Sequence, residues 1–183
     1  VLFKFRSHAI VFTADICKMY RQILIRPVDR KFQHILWRNT ESQEIKEFEL
    51  NTVTYGTTSA PCLAIRTLKQ LSEDEGEPFP EASKVLENDI YMDDILSGKP
   101  NLASAKAVCK QLVELLKKGH FELKKWASNH PDLLKDFAED ERAEPLLFQP
   151  DIDVNFKVLG VRWDPNSDYL SYSEIELEST CTK

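Results

Sequence analysis

Residues 88–98, NDIYMDDILSG, set Asp93 and Asp94 side by side within an apolar segment bounded by Asn88-Asp89 and Ser97-Gly98. Two like charges in such a segment repel each other and resist desolvation, so they require compensation from outside it. The pattern predicts a strand over VLENDIY (85–91), a tight turn at Met92-Asp93, and a second strand over DILSG (94–98). A third carboxylate has a similar setting. Residues 9–16, AIVFTADI, form a β-branched and apolar run that fits a buried strand ending at Asp15. If these strands are neighbours, Asp15, Asp93 and Asp94 converge at one edge of a sheet.

Ionised together, three such acids raise one another's pKa, and a divalent cation removes the conflict. Hard oxygen ligands suit Mg²⁺ or Mn²⁺, and few protein ligands per ion leave room for water and substrate phosphates. Two ions about 3.5–4 Å apart stabilise both oxygens of an in-line displacement, so the predicted chemistry is phosphoryl or nucleotidyl transfer. A plainer reading keeps Asp15 as a strand-end residue and the aspartate pair as a solvated turn.

The remaining elements follow from periodicity and punctuation. CKMYRQILIRP (17–27) turns and re-enters an extended segment that Pro27 closes. KFQHILWR (31–38) and EIKEFEL (44–50), joined by NTESQ, read as a hairpin. After YGTT, residues 59–71 form a helix with Ser59 as N-cap, Pro61 in the first turn, and Ala64, Leu68 and Leu71 on one face. SEDEGEPFP (72–80) reads as a charged loop.

Residues 101–118 carry the strongest helical pattern: Asn101 as N-cap, a stripe of Leu102, Ala105, Cys109, Leu112, Val113 and Leu116, and Gly119 at the C-cap. HFELKKW (120–126) reads as an edge strand and residues 130–145 as a short helix and loop. FKVLGVRW and YLSYS flank the turn signal DPNSD (164–168) and are expected to pair. Mixed order without regular βαβ alternation indicates an α+β domain, an antiparallel sheet backed by helices.

Composition narrows the class. At 183 residues and 42% hydrophobic content the chain can bury a core. No apolar stretch approaches the roughly 18 residues that span a bilayer, so no membrane partner is expected. Cys17, Cys62, Cys109 and Cys181 form no CxxC pair, and His8, His34, His120 and His130 add no metal-ligand spacing, which reads as reduced thiols in an intracellular protein. The net charge of −6 argues mildly against nucleic acid, but its distribution does not. Residues 1–38 carry eight basic against two acidic side chains and residues 99–125 seven against two, two blocks able to form a polyanion surface or a solvated face.

YMDD with FTADI upstream resembles the catalytic palm of reverse transcriptases. In order along the chain, FTADICKMYRQI, YGTTSAPCLA, YMDDILSG, FELKKWASN and VLGVRWD resemble the motifs of LTR-retrotransposon enzymes, most closely the BEL/Pao group. The resemblance covers nearly the whole chain. It implies a reverse-transcriptase palm with part of the fingers: residues 1–25 as the first palm segment, 26–55 as a fingers portion, 56–172 as the palm continued through the primer-grip-like hairpin, and 173–183 as the start of a following region.

The same resemblance implies roles residue by residue. Asp15, Asp93 and Asp94 would be catalytic and hold two Mg²⁺ ions (or Mn²⁺), with the Ile16 carbonyl completing one site. Lys18 and Met19 amides would lie near the triphosphate, and Tyr20 would be the aromatic gate that excludes a 2′-OH. Gly56 would allow close approach of nucleotide and template, and either Lys124 or Lys125 would face the pyrophosphate. Tyr91, Met92, Leu159 and Gly160 would contact the primer.

The function implied is RNA-directed DNA polymerisation from dNTPs on a primed RNA or DNA template, in the cytoplasm or a virus-like particle. Val1 opens the chain without a leader, and the short lead to Asp15 implies a piece of a polyprotein whose remaining fingers, thumb, RNase H and integrase lie elsewhere. Alternatives are a non-catalytic retroelement remnant that at most binds nucleic acid, and another two-metal nucleotidyl transferase or nuclease.

Overall fold

The computed structural model describes residues 1–143, 156–159 and 161–171. The first half of the chain forms α1 (Leu2–Phe5), β1 (Ile10–Ile16), α2 (Pro27–Arg30), β2 (His34–Trp37), β3 (Lys46–Glu49), α3 (Ala60–Glu75) and α4 (Pro80–Asn88). The second half forms β4 (Ile90–Tyr91), β5 (Asp94–Lys99), α5 (Leu102–Lys118), β6 (Leu123–Ser128), α6 (Pro131–Leu134), β7 (Phe156–Val158), β8 (Val161–Asp164) and β9 (Tyr169–Ser171). The central sheet is antiparallel, in the order β4-β5-β1-β6, so the architecture is α+β with helices backing an antiparallel sheet.

Strand periodicity divides β1 between two cores. Phe12, Ala14 and Ile16 point to the face covered by α3, α4 and α5, whose Ala64, Leu68, Val85, Leu86, Leu112 and Leu116 complete the main cluster. Val11 points the other way and joins Leu96, Ala127, Phe5 and Trp163 in a second cluster. Phe5 meets Trp163 edge-on, with ring centroids 5.1 Å apart, so α1 and β8 cover this end of the second face. Asp15 lies farther along that second face, beyond the cover.

Local chemistry explains the elements that hold this arrangement. The Asn101 side chain accepts from the Ser104 amide at 3.0 Å and caps α5, as its sequence predicts. Gly98 lets β5 lie close against β1, where a Cβ would come within 2.6 Å of the Ile10 carbonyl oxygen. Asn129 extends the edge of β1, accepting from the Val11 amide at 2.9 Å and donating to the Ala9 carbonyl at 3.0 Å.

Several expectations change. Residues 85–88 are helical, because Ala82, Val85 and Leu86 bury at helical spacing after Pro80, and the strand begins only at Ile90. The helix that starts at Ala60 runs through Ser72, buried on the same stripe, to Glu75, which shortens the charged loop to residues 76–79. Pro27 opens a helical turn rather than closing a strand, a position that its fixed φ and missing N–H favour. Across DPNSD the expected pairing forms, β8 with β9, and β7 adds a further strand on the other side of β8. Val113 is 40% exposed, while Val108 and Leu115 complete the buried stripe of α5. Cys181, Gly160 and the following region at 173–183 lie outside the described residues.

The base of the β4–β5 hairpin rests on a buried carboxylate. Asp89, 4% exposed, accepts from Ser97 Oγ at 2.7 Å and is paired with Lys4, while its carbonyl accepts from the Leu96 amide at 2.9 Å. Removing this acceptor strands a buried hydroxyl. Asp89→Ala is therefore expected to cost about 2 kcal/mol in urea unfolding, and a loss below about 0.5 kcal/mol would contradict that role.

Candidate active site

Register brings the aspartates together. Asp15 on β1 stands directly across from Asp94 on β5, and Asp94 is also paired to Tyr91 on β4, leaving Met92-Asp93 as a two-residue hairpin turn. The Ile16 amide donates to the Asp93 carbonyl at 2.8 Å. That bond, one residue beyond the pair, makes Asp15 and Asp94 a non-hydrogen-bonded pair, the type whose Cα atoms lie about 4.5 Å apart with side chains closest. Both side chains stand on the face opposite α3, α4 and α5. Because the N–H and C=O of one residue leave a strand on the same side, the Ile16 carbonyl also points toward the turn.

The turn itself is conformationally costly. Met92 has φ +60°, a region ordinarily left to glycine at the first central position of a type II′ hairpin. Lys18 (φ +50°), where the chain leaves β1, and Lys125 (φ +55°) on β6 share the left-handed region. Non-glycine residues in this conformation gather where surrounding structure over-determines them.

Lys125 has a specific cause for its geometry. Between Thr13 and Asp15 the register with β6 slips from Ala127 to Lys124, so β6 carries one extra residue, a β-bulge. The bulge lets Leu123 and Trp126 both enter the helix-backed core, where Trp126 stacks on Phe137 at 4.1 Å. It aims Lys125 Nζ at Asp15 Oδ2, 3.1 Å away. Lys124, the register partner of Asp15, instead sends its ammonium to Glu122 and Asp140, each at 3.5 Å. Of the two lysines, Lys125 is the one that faces the carboxylates.

Electrostatics follow from this crowding. Burial, then the Asp93 and Asp15 carboxylates, push the Asp94 carboxyl up to about 6, against a smaller opposing effect of Lys125. The Lys125 ammonium is held above its usual range, first by its hydrogen bond to Asp15. Burial, then the Asp93 carboxylate, push the Tyr20 phenol up. Tyr20 is half-buried against the main core, in the 3₁₀ turn Met19–Gln22.

Among the described residues no group of three or more His, Cys, Asp or Glu side chains is arranged to hold a metal ion, and Asp15 is engaged by Lys125. The donor chemistry nevertheless suits a hard cation: two opposed carboxylates, of which Asp94 has a raised proton affinity, next to a main-chain carbonyl. Mg²⁺ takes only one or two carboxylates when substrate phosphates supply further ligands, so a closed protein cage is not required.

The other expected site residues are more dispersed. Lys18 is exposed and Met19 is 1% exposed, packed in the main core. Gly56 has φ +88° with open space around its Cα, before α3. Tyr91 is 58% exposed, and Leu159, with φ +47°, packs against the second core. Cys17, Cys62 and Cys109 are free thiols. In the second basic block, Lys106, Lys110, Lys117 and Lys118 lie on α5 behind the sheet, away from the aspartates.

Sequence reasoning missed Asp89, the Asn129 side-chain bridge and the bulge at Lys125. NDIY and WASN carried the first two as polar residues inside apolar segments, whereas the bulge has no marker because its left-handed residue is a lysine. No protein-family model and no curated protein matches the chain. No helix among the described residues is long and apolar enough to cross a membrane.

A pH test follows from Asp94. Its folded-state pKa lies above the usual carboxyl value, so the folded chain holds a proton that the unfolded chain releases, and stability falls as pH rises from about 4 through about 6. Asp94→Asn removes that component. In metal-free buffer the variant is expected to gain melting temperature over the parent progressively from pH 4 to pH 7, and a pH-independent difference would contradict the assignment.

Proposed function

We propose that this chain is the palm of a reverse transcriptase of LTR-retrotransposon type, similar to the BEL/Pao group, which transfers a deoxynucleotide from a dNTP to a primer 3′-OH. The observation that carries the reading is the register pair Asp15–Asp94, with Asp93 at the adjoining turn, on the uncovered part of a helix-backed sheet. Two opposed acids beside a third gain nothing for folding, since their mutual repulsion and desolvation are unfavourable.

Asp15, Asp93, Asp94 and the Ile16 carbonyl would hold Mg²⁺ or Mn²⁺. Bound there, two ions supply charge stabilisation to the attacking and leaving oxygens of an in-line phosphoryl displacement. The residues around them account for the rest. Lys18 in the left-handed region followed by the 3₁₀ turn from Met19 presents successive amides in a nest, a conformation that cradles anions such as a triphosphate. Tyr20, packed against the core, would lie under the sugar and leave no room for a 2′-OH. Lys125 would meet the departing pyrophosphate.

Tyr91 and Met92 on the hairpin, Leu159 after β7, and Gly160, outside the described residues, would contact the primer end. The duplex would lie across the uncovered sheet face, with Lys18 and Arg21 of the first basic block at its margin. Held mainly through its phosphates, it would bind more weakly as salt rises. Gly56, at the start of the segment leading to α3, would admit nucleotide and template without a side chain in the way.

Primer extension on an RNA template with Mg²⁺ or Mn²⁺, using the polypeptide that carries this chain, tests the reading. DNA synthesis is expected, with Asp93→Asn at least about a hundredfold slower because transition-state charge loses its stabilisation. Normal template binding without any synthesis by the parent would mark a nucleic-acid-binding remnant instead. Tyr20→Ala is expected to raise ribonucleotide incorporation about tenfold or more, a factor worth about 1.4 kcal/mol in the transition state. Unchanged sugar discrimination would remove the gate assignment.

A further inference from the structure

Asp15 already has a cation. Its side chain is 21% exposed and takes the Lys125 ammonium at 3.1 Å, while the lysine side chain is 68% exposed and reaches inward from solvent. The contact exists because β6 bulges and Lys125 adopts φ +55°, a conformation that lysine enters at a cost. Lys124 provides an internal comparison, because its ammonium bonds Glu122 and Asp140 although its backbone stands across from Asp15. The direction of Lys125 is therefore set by the bulge and not by basic charge on β6 in general.

An ammonium and a divalent cation cannot share one carboxylate edge without repulsion. Resting on the reading of Asp15, Asp93 and Asp94 as a metal site, we propose that Lys125 is a built-in counter-ion that occupies Asp15 when no metal is bound and must withdraw for a divalent ion to bind there. Lys125 thereby raises the ion concentration needed to load the site and compensates Asp15 in the ion's absence. Its long exposed stem allows the withdrawal, and the freed ammonium stays at the mouth of the site, available to phosphate oxygens.

The test is direct Mn²⁺ binding to the chain, read from the loss of the free-ion electron paramagnetic resonance signal. Parent, Lys125→Gln, Lys125→Asn and Lys124→Gln are compared after circular dichroism has verified folding. Asn is included because it tolerates a left-handed backbone better than most side chains. Both Lys125 variants are expected to bind about threefold to tenfold tighter than the parent, the range for release of a partly exposed ion pair together with relief of charge repulsion. Lys124→Gln should bind as the parent does. The melting temperature gained on adding saturating Mn²⁺ should also be larger in the Lys125 variants than in the parent.

Unchanged or weaker binding in both Lys125 variants would overturn the counter-ion role while leaving the metal site standing. Equal tightening by Lys124→Gln would also overturn it, since the effect would then be a general field. Absence of binding by all four proteins would overturn the metal reading itself, and this inference with it.

Discussion

The antiparallel pairing of β1 with β5, in the register that sets Asp15 against Asp94, is the constraint on which the rest depends. A slip of one residue would turn Asp15 into the helix-backed core and bring Ala14 or Ile16 out to solvent. That exchange would bury a carboxylate among apolar side chains and forfeit the packing of Phe12, Ala14 and Ile16. The core thus enforces the register, and the register enforces the proximity of the acids. Gly98, pressed against the backbone at Ile10, and the Asp89–Ser97 bond at the hairpin base fix the same alignment from the far end of β5 and from β4.

The acids are unfavourable neighbours, and the surrounding structure absorbs that cost locally. Lys125 reaches Asp15 through a bulge, the hairpin turn forces Met92 to positive φ, and the Asp94 carboxyl retains its proton to about pH 6. Each of these departures from relaxed geometry or ordinary ionisation falls within the same end of the sheet. A fold under no functional demand would relieve them by a single substitution, such as a glycine at the turn or an asparagine at Asp94. Their concentration beside one another, with the rest of the sheet regular, marks this end of the sheet as the candidate site.

Much of this was legible in the sequence because the relevant signals are local. Strand alternation in IVFTADI gave β1 and its terminal aspartate, Asn101 and Gly119 bracketed α5, and the polar NTESQ gave the β2–β3 hairpin. Residues 85–88 misled because Val85-Leu86 suits a strand as well as a helix, and only packing of Ala82, Val85 and Leu86 against neighbouring helices decides. The choice between Lys124 and Lys125 was not legible at all. It turns on a one-residue register slip that leaves no trace in composition.

Paramagnetic broadening of backbone amide resonances by substoichiometric Mn²⁺ tests the central claim most directly, because it reports where a divalent ion sits without requiring turnover. The account predicts broadening concentrated at residues 15–17 and 92–95 and abolished in Asp94→Asn. Broadening spread over the acidic stretch at 72–77 and the exposed acids of β3, with the β1–β5 end spared, would contradict it.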